Sequence, residues 1–330
     1  MARASRSRAS EAESPEASTT EAGASASEHS ASSSEARRPR GRRRLVLAWL
    51  VIALALIVIW EGAKFLFGDP WRLHGNVFGL QVDFEHLPPF RHRIASDLAL
   101  PHIWLIFTAF IDPAQRNGPP LGLILAGQAL FTFREALTGF VLGGSLGLLL
   151  GIGLVHSRLA ERAFVPYVVA SQTVPILAIS PLIVVATKAG WLSVAIISAY
   201  LTFFPVTIAA LRGLRAADAR AFELMRSYAA SRWAVLWKVR LPASVPYLFA
   251  SLRVAGAAAV IGAIIGELPS GIPDGLGSAL LNYNQYYSSG PERLWATIVM
   301  CSLVGLGFVG LVRAAESILT RNRYRPIAAT

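Results

Sequence analysis

The residues whose types and spacing could do chemistry lie in one charged, amphipathic stretch, ELMRSYAASRWAVLWKVRLP, at positions 223–242 between long apolar runs. Glu223, Met225, Ala229, Trp233, Val239, Leu241 and Pro242 mark it. The chemistry they suit is recognition, not bond-making. Phe222, Met225 and Ala229 fall on one face of a first helix, opened by acidic Asp218 and closed near basic Arg226, as the helix dipole prefers. Ser231 caps a second short helix with Trp233, Leu236 and Trp237 on its apolar side, ending before Leu241 and Pro242. Two short amphipathic helices that show aromatic residues to water fit a groove on a partner protein. The competing reading is a helix lying on lipid headgroups, held there by Arg and Trp.

Catalytic motifs do not appear elsewhere in the sequence. No phosphate-cradling G-x-x-x-x-G-K-S/T loop is present, and His74, His86, His92, His102 and His156 form no H-E-x-x-H pair. Ser145 has G-x-S-x-G spacing between Gly143 and Gly147, but it lies inside an apolar run and not at the strand-to-helix elbow that exposes a nucleophile. The sequence therefore names no catalytic residue, metal ligand or cofactor, and the histidines outside the apolar runs read as solvated. Cys301, the single cysteine, lies in an apolar run and reads as a packing residue.

The remaining polar candidates interrupt apolar runs. Gln172 and Thr173 stand beside Pro175 and Pro181 in SQTVPILAISP, where each proline removes a backbone donor and bends or breaks a helix. The freed carbonyls must face protein or a wet cavity. A packing kink and a lining for a solute path are both open. Glu135, Lys188 and Glu267 fall near predicted helix ends, where snorkelling to an interface is cheap, and a solute or gating role is the alternative. Arg253 reads as reaching the interface or a loop carbonyl.

The elements that must hold these residues are set by composition. Apolar residues make up 54% of the 330 and charged residues 15%. Mean hydropathy is +0.49. Apolar runs long enough to cross about 30 Å of hydrocarbon make this an integral membrane protein of the all-α class. Barrel strands would be short and alternating, whereas 146–155 and 254–266 are apolar on every side. The net charge of +11 is not a nucleic-acid footprint. Its basic residues flank the apolar runs, at 37–44, 158–162, 212–240 and 321–325, where the positive-inside rule keeps them cytoplasmic.

About six transmembrane helices follow. Residues 1–44 form a basic cytoplasmic tail, disordered over its Ala-, Ser- and Glu-rich part. Residues 45–67 are the first span rather than a signal peptide, given the long preceding tail and the missing A-x-A signal. Residues 68–128 are an external connection with short helices, in which 98–111 is too short to cross and a re-entrant form is open. Residues 129–320 hold five further spans, near 130–156, 163–188, 191–211, 245–266 and 294–319, with the loop 213–244 among them, and 321–330 return to the cytoplasm. Gly143, Gly147 and Gly151 give the second span a nearly bare face for another helix. Gly262 with Gly266, and Gly305 with Gly307 and Gly310, repeat the pattern more weakly.

At the loop the chain resembles the membrane subunit of bacterial ATP-binding-cassette importers, in the branch that handles nitrate, sulfonate and taurine. That family's loop runs Glu-Ala-Ala, three residues, Gly, nine residues, an aliphatic residue, one residue, Leu-Pro. Glu223, Val239, Leu241 and Pro242 match, while Leu224 and Met225 replace the alanines and Ala229 replaces the glycine. The similarity extends over about 130–320, through RLAER at Arg158, Pro175 and Pro181, ASRW at Ala230 and GELPSG. It implies a type I ABC importer permease fold with cytoplasmic coupling helices in the bacterial inner membrane. It also implies a homodimer, each copy docked through the loop on a cytoplasmic ATPase subunit that hydrolyses the ATP, and an external solute-binding protein. Gln172, Thr173, Pro175 and Glu267 are the expected path residues. An ion-coupled carrier or channel working without an ATPase is the alternative, and it would need paired repeats or midspan ionisable groups.

Overall fold

The computed structural model describes residues 40–320 apart from positions 78, 79, 91 and 189. The expectations for the amino-terminal tail before position 40 and for 321–330 lie outside the described residues. Among the described residues, five helices are long and apolar enough to cross a membrane, or six if one bent pair counts as a single span.

The first helix, α1, is Arg40–Phe67, its apolar part beginning at Leu45. The sequence predicts only short helices after it. Instead an antiparallel hairpin follows, β1 (Trp71–Val77) and β2 (Leu80–His86), in register from Trp71↔His86 to Val77↔Leu80. Pro70 and Pro88 stand outside the two strands, where a missing N–H breaks no ladder bond. A short helix, α2 (Ile103–Ala109), occupies part of the 98–111 run. At 1.5 Å per residue it spans only about 10 Å.

The next span, α3, is Leu121–His156, and it begins well before the expected position 130. Pro119 and Pro120 set its start instead of breaking it, since a proline ahead of the first turn sacrifices no helical bond. The expected third span is two helices, α4 (Arg158–Ser171) and α5 (Ile176–Ala186), bent by 97°. Only Pro175 breaks it. Pro181 sits inside α5, where the Leu177 carbonyl that it leaves free accepts the Ser180 hydroxyl at 3.1 Å.

Helix α6 is Trp191–Gly213, and α7 is Ala219–Ser227. Then α8 (Arg232–Val235) passes through a π-helical turn, Leu236–Arg240, into α9 (Leu241–Ser270). The expected end before Leu241 is thus a continuous helix. Its register slips by one residue, Leu241 N–H donating to the Leu236 carbonyl, just ahead of Pro242, which has no N–H to give. After α10 (Leu276–Gln285) comes the last span, α11 (Pro291–Thr320).

Helix α6 is the centre of the bundle, sandwiched between α3 and α9. A Cβ at Gly143 of α3 would fall on the Ala199 backbone, and one at Gly262 of α9 would lie 2.8 Å from the Ser198 Cα. Bare backbone is what lets these axes come close, as the glycine spacing on α3 predicts. Ser198 sits at this double crossing, wholly buried, its hydroxyl 2.9 Å from the Ala259 carbonyl. Gly305, Gly307 and Gly310 do not repeat the pattern, for nothing lies within 4 Å of where their Cβ atoms would be.

Candidate functional site

The loop 213–244 folds as its polar residues require. Asp218 accepts from the Arg220 N–H at 3.1 Å and starts α7, and Ser231 accepts from the Ala234 N–H at 3.2 Å and starts α8. Between them Ala229 takes φ +48°, the left-handed conformation that glycine would fill without strain. The Ala230 N–H closes the turn on the Met225 carbonyl at 2.9 Å.

This pair of helices does not show one simple apolar face. Leu236, expected beside the tryptophans, is buried with Leu154, Val155, Leu211 and Leu214 under the ends of α3 and α6. Trp233 and Trp237 point the other way, 66% and 67% exposed, with Leu224 and Tyr228 also exposed. The helix is divided because neighbouring helical residues stand about 100° apart, so Trp233 and Trp237, one turn from each other, share a side that Leu236 does not. Leu236 anchors the loop to the bundle, and the tryptophans remain free for contact. Glu223 and Ala229 are exposed, and Met225, Val239, Leu241 and Pro242 are half-buried. Phe222 lies beneath the Arg240 guanidinium, 5.2 Å from ring centre to cation.

Gln172 and Pro175 meet at the α4–α5 break, where with Ser171, Ile176, Tyr200 and Phe204 they line a cavity of about 320 Å³. Tyr200 of α6 donates its hydroxyl to the Ser171 carbonyl, so a carbonyl freed by the break does face protein. Sequence reasoning missed Tyr200 because only the bend brings it there. Thr173 is turned onto the Ala170 carbonyl at 2.8 Å and does not line the cavity.

Glu267 is not with them, and neither it nor Glu135 snorkels. Both are buried, Glu135 3% and Glu267 1% exposed. The earlier start of α3 places Glu135 about four turns into that helix rather than at its end. Glu267 instead caps α10 from outside: Gly277 N–H donates to it at 2.5 Å, and Leu276 N–H donates to Thr132 of α3 at 2.8 Å. Gly275, at φ +104°, completes the turn, and a Cβ there would collide with the Glu267 carboxyl. A carboxylate at a helix N-terminus satisfies orphan donors and meets the positive end of the dipole. The first-turn cap comes from ten residues upstream and from another helix, so local cap rules could not find it.

Other polar expectations change as well. Lys188 is exposed just past α5, as expected of an end residue, at φ +62°. Arg253 pairs with Glu316 of α11 at 3.7 Å rather than with a loop carbonyl. His102 is not solvated: it is 2% exposed, with Nδ1 2.8 Å from Glu61. Nearby, the buried Lys64 pairs with Asp97, because a charge drawn out of water must keep a partner.

Comparison with known proteins adds an independent line. A family model described as "Binding-protein-dependent transport system inner membrane component" matches residues 143–320, more than half of the chain. An ABC transporter permease protein of Haemophilus influenzae is 36% identical over 40% of this chain and 54% of its own length. A formylaminopyrimidine transport permease protein of Halalkalibacterium halodurans is 32% identical over 55% of this chain and 71% of its own. A permease protein of Bacillus subtilis named for aliphatic sulfonates transport is 32% identical over 61% of this chain and 74% of its own. The chain thus spans from about half to about three quarters of the length of these relatives. An inward-facing methionine ABC transporter superposes with a TM-score of 0.48 and 17% identity, over 68% of this chain and 99% of that one.

Proposed function

Since the chain belongs to the family of binding-protein-dependent transport system inner membrane components, we propose that it is the membrane-spanning subunit of an ATP-driven importer, coupled to a separate ATPase through the loop 213–244. The carrying observation is the loop itself: two capped helices turned on a left-handed Ala229, anchored by buried Leu236, presenting Trp233 and Trp237 outward. Exposed aromatic anchors on a fixed backbone are what a protein groove binds. A headgroup-lying helix would instead point its apolar side chains to one common side.

In this reading two copies of the chain face each other across the solute path, and each receives one ATPase on its cytoplasmic face. The positive-inside rule, applied to the basic residues around positions 158–162 and 212–240, supports a cytoplasmic side for that face, and six crossings from an inside amino end return the carboxyl end there. An external binding protein delivers solute to the other face. Nucleotide closure of the ATPases draws the loops together, and the packed helices turn as rigid bodies between two arrangements. Gln172 and Pro175, beside the Tyr200 hinge contact, line the path at the break between α4 and α5. Hydrolysis belongs to the partner chain, since the sequence holds no phosphate loop.

For cargo, the relative named for aliphatic sulfonates supports a small anion of the sulfonate or taurine kind. The relative named for formylaminopyrimidine supports a neutral heterocycle as the second reading. Co-purification tests the docking assignment: an ATPase retained by the wild type should be lost from Glu223→Arg. Its retention would overturn the role of the loop.

A further inference from the structure

A further cavity lies away from the α4–α5 break. It encloses about 670 Å³ between the start of α4 and the loop 213–244, and four arginines line it: Arg158 and Arg162 from α4, Arg215 and Arg240 from the loop. One carboxylate, Glu161, faces them, and Arg215 holds both of its oxygens in a forked pair. Arg215 and Arg240 repel one another, and Arg240 rests on Phe222 with one weak donation to the Leu214 carbonyl at 3.4 Å. Arg158 and Arg162 make no ion pair among the described residues. The cavity therefore holds cations well in excess of its one neutralising acid, and that field attracts an anion.

Its depth and walls say which anion. Helix α3 ends at His156 and α6 at Gly213, so the cavity lies where the apolar lengths stop. Val155, Val165 and Pro166 add apolar lining beside the guanidiniums. A site half basic and half apolar at the hydrocarbon boundary matches a phosphate joined to a glycerol and acyl chains more closely than it matches a free ion. Planar guanidiniums also bind phosphate oxygens in pairs.

We propose that this cavity binds the phosphate headgroup of an anionic phospholipid, which ties the start of α4 to the loop 213–244. The proposal does not depend on which ATPase the loop receives. Its residues are also distinct from Glu223, Trp233 and Trp237, so the two assignments fail separately.

Native mass spectrometry of the full-length chain, exchanged into phosphatidylglycerol or phosphatidylcholine, tests it. Wild type should retain phosphatidylglycerol in preference to phosphatidylcholine, and Arg158→Gln with Arg162→Gln should bind it about thirtyfold more weakly across a lipid titration. Arg162→Gln alone should give a partial loss, so the comparison survives if the double variant folds poorly. Restoring charge with Arg158→Lys and Arg162→Lys should return the adduct, and Arg116→Gln, at an exposed arginine far along the chain, should leave it unchanged. Equal retention by wild type and the glutamine variants, or no preference between the two lipids, would overturn the site. Displacement by inorganic phosphate alone would overturn the lipid assignment in favour of a free anion. Loss of the adduct on ATPase binding would overturn it in favour of a protein contact.

Discussion

Arg215 grips both carboxylate oxygens of Glu161, joining the beginning of the loop 213–244 to the first turn of α4. The loop is thereby linked to the helix that ends at the α4–α5 break and its cavity. Under the proposed function, a pull on the loop reaches the path through this pair.

Breaking the pair should uncouple more than it unfolds. The Arg215 side chain is 43% exposed and that of Glu161 20%, so solvent screens the attraction, and Arg215→Ala should cost no more than about 1 kcal/mol of stability. Solute uptake by the reconstituted transporter should fall several-fold while the ATPase still co-purifies. A charge swap, Glu161→Arg with Arg215→Glu, should restore part of the uptake. Wild-type uptake in Arg215→Ala would remove the pair from the coupling route.

Ala229→Gly should stabilise the chain. The left-handed φ of +48° costs an alanine roughly 1 kcal/mol relative to glycine, set against glycine's greater freedom when unfolded. A rise in midpoint temperature of the detergent-solubilised protein is expected, and Ala229→Val should lower it. No rise with glycine would mean that the turn is not left-handed in solution.

Removing the remote cap on α10 should be costly. Glu267→Ala leaves the buried Gly277 N–H without an acceptor, a loss of about 1–3 kcal/mol. Glu267→Gln keeps an acceptor oxygen and should lose less, and Gly275→Ala should resemble Glu267→Ala through collision with the carboxyl. Thermal unfolding of the three variants checks the order. A solute-dependent effect of Glu267→Gln with unchanged stability would return Glu267 to the path and refute the cap as its role.

Close helix approach is tested at Gly143. Gly143→Leu must push α3 from the Ala199 backbone, so the folded yield should drop sharply, whereas Gly305→Leu, facing open space, should be tolerated within one chain. Fluorescence-detected size exclusion reads both. A normal profile for Gly143→Leu would contradict the packing.

What the sequence made legible follows from which forces are local. Span count, the glycine face of α3 and the caps Asp218 and Ser231 depend on hydropathy, residue size and nearest neighbours, and each is found where the residues imply. The start of α3 was hidden because Pro119 and Pro120 look like breakers until one sees that they precede a first turn. The hairpin at 71–86 was masked by the prolines beside it. Long-range partners were illegible: Thr132 with Leu276, Glu316 with Arg253, and Glu61 with His102 join residues far apart in the chain, and nothing local marks them. In the loop, the existence of both helices was readable, but the division between buried Leu236 and outward Trp237 needs the fold.

The most direct test of the account is uptake into proteoliposomes holding the chain with and without its ATPase and binding protein. Accumulation against a gradient should require all components together with ATP, and should be absent from the chain alone under any imposed proton or sodium gradient. Uphill accumulation by the chain alone, with no nucleotide hydrolysed, would contradict the account and establish an ion-coupled carrier instead.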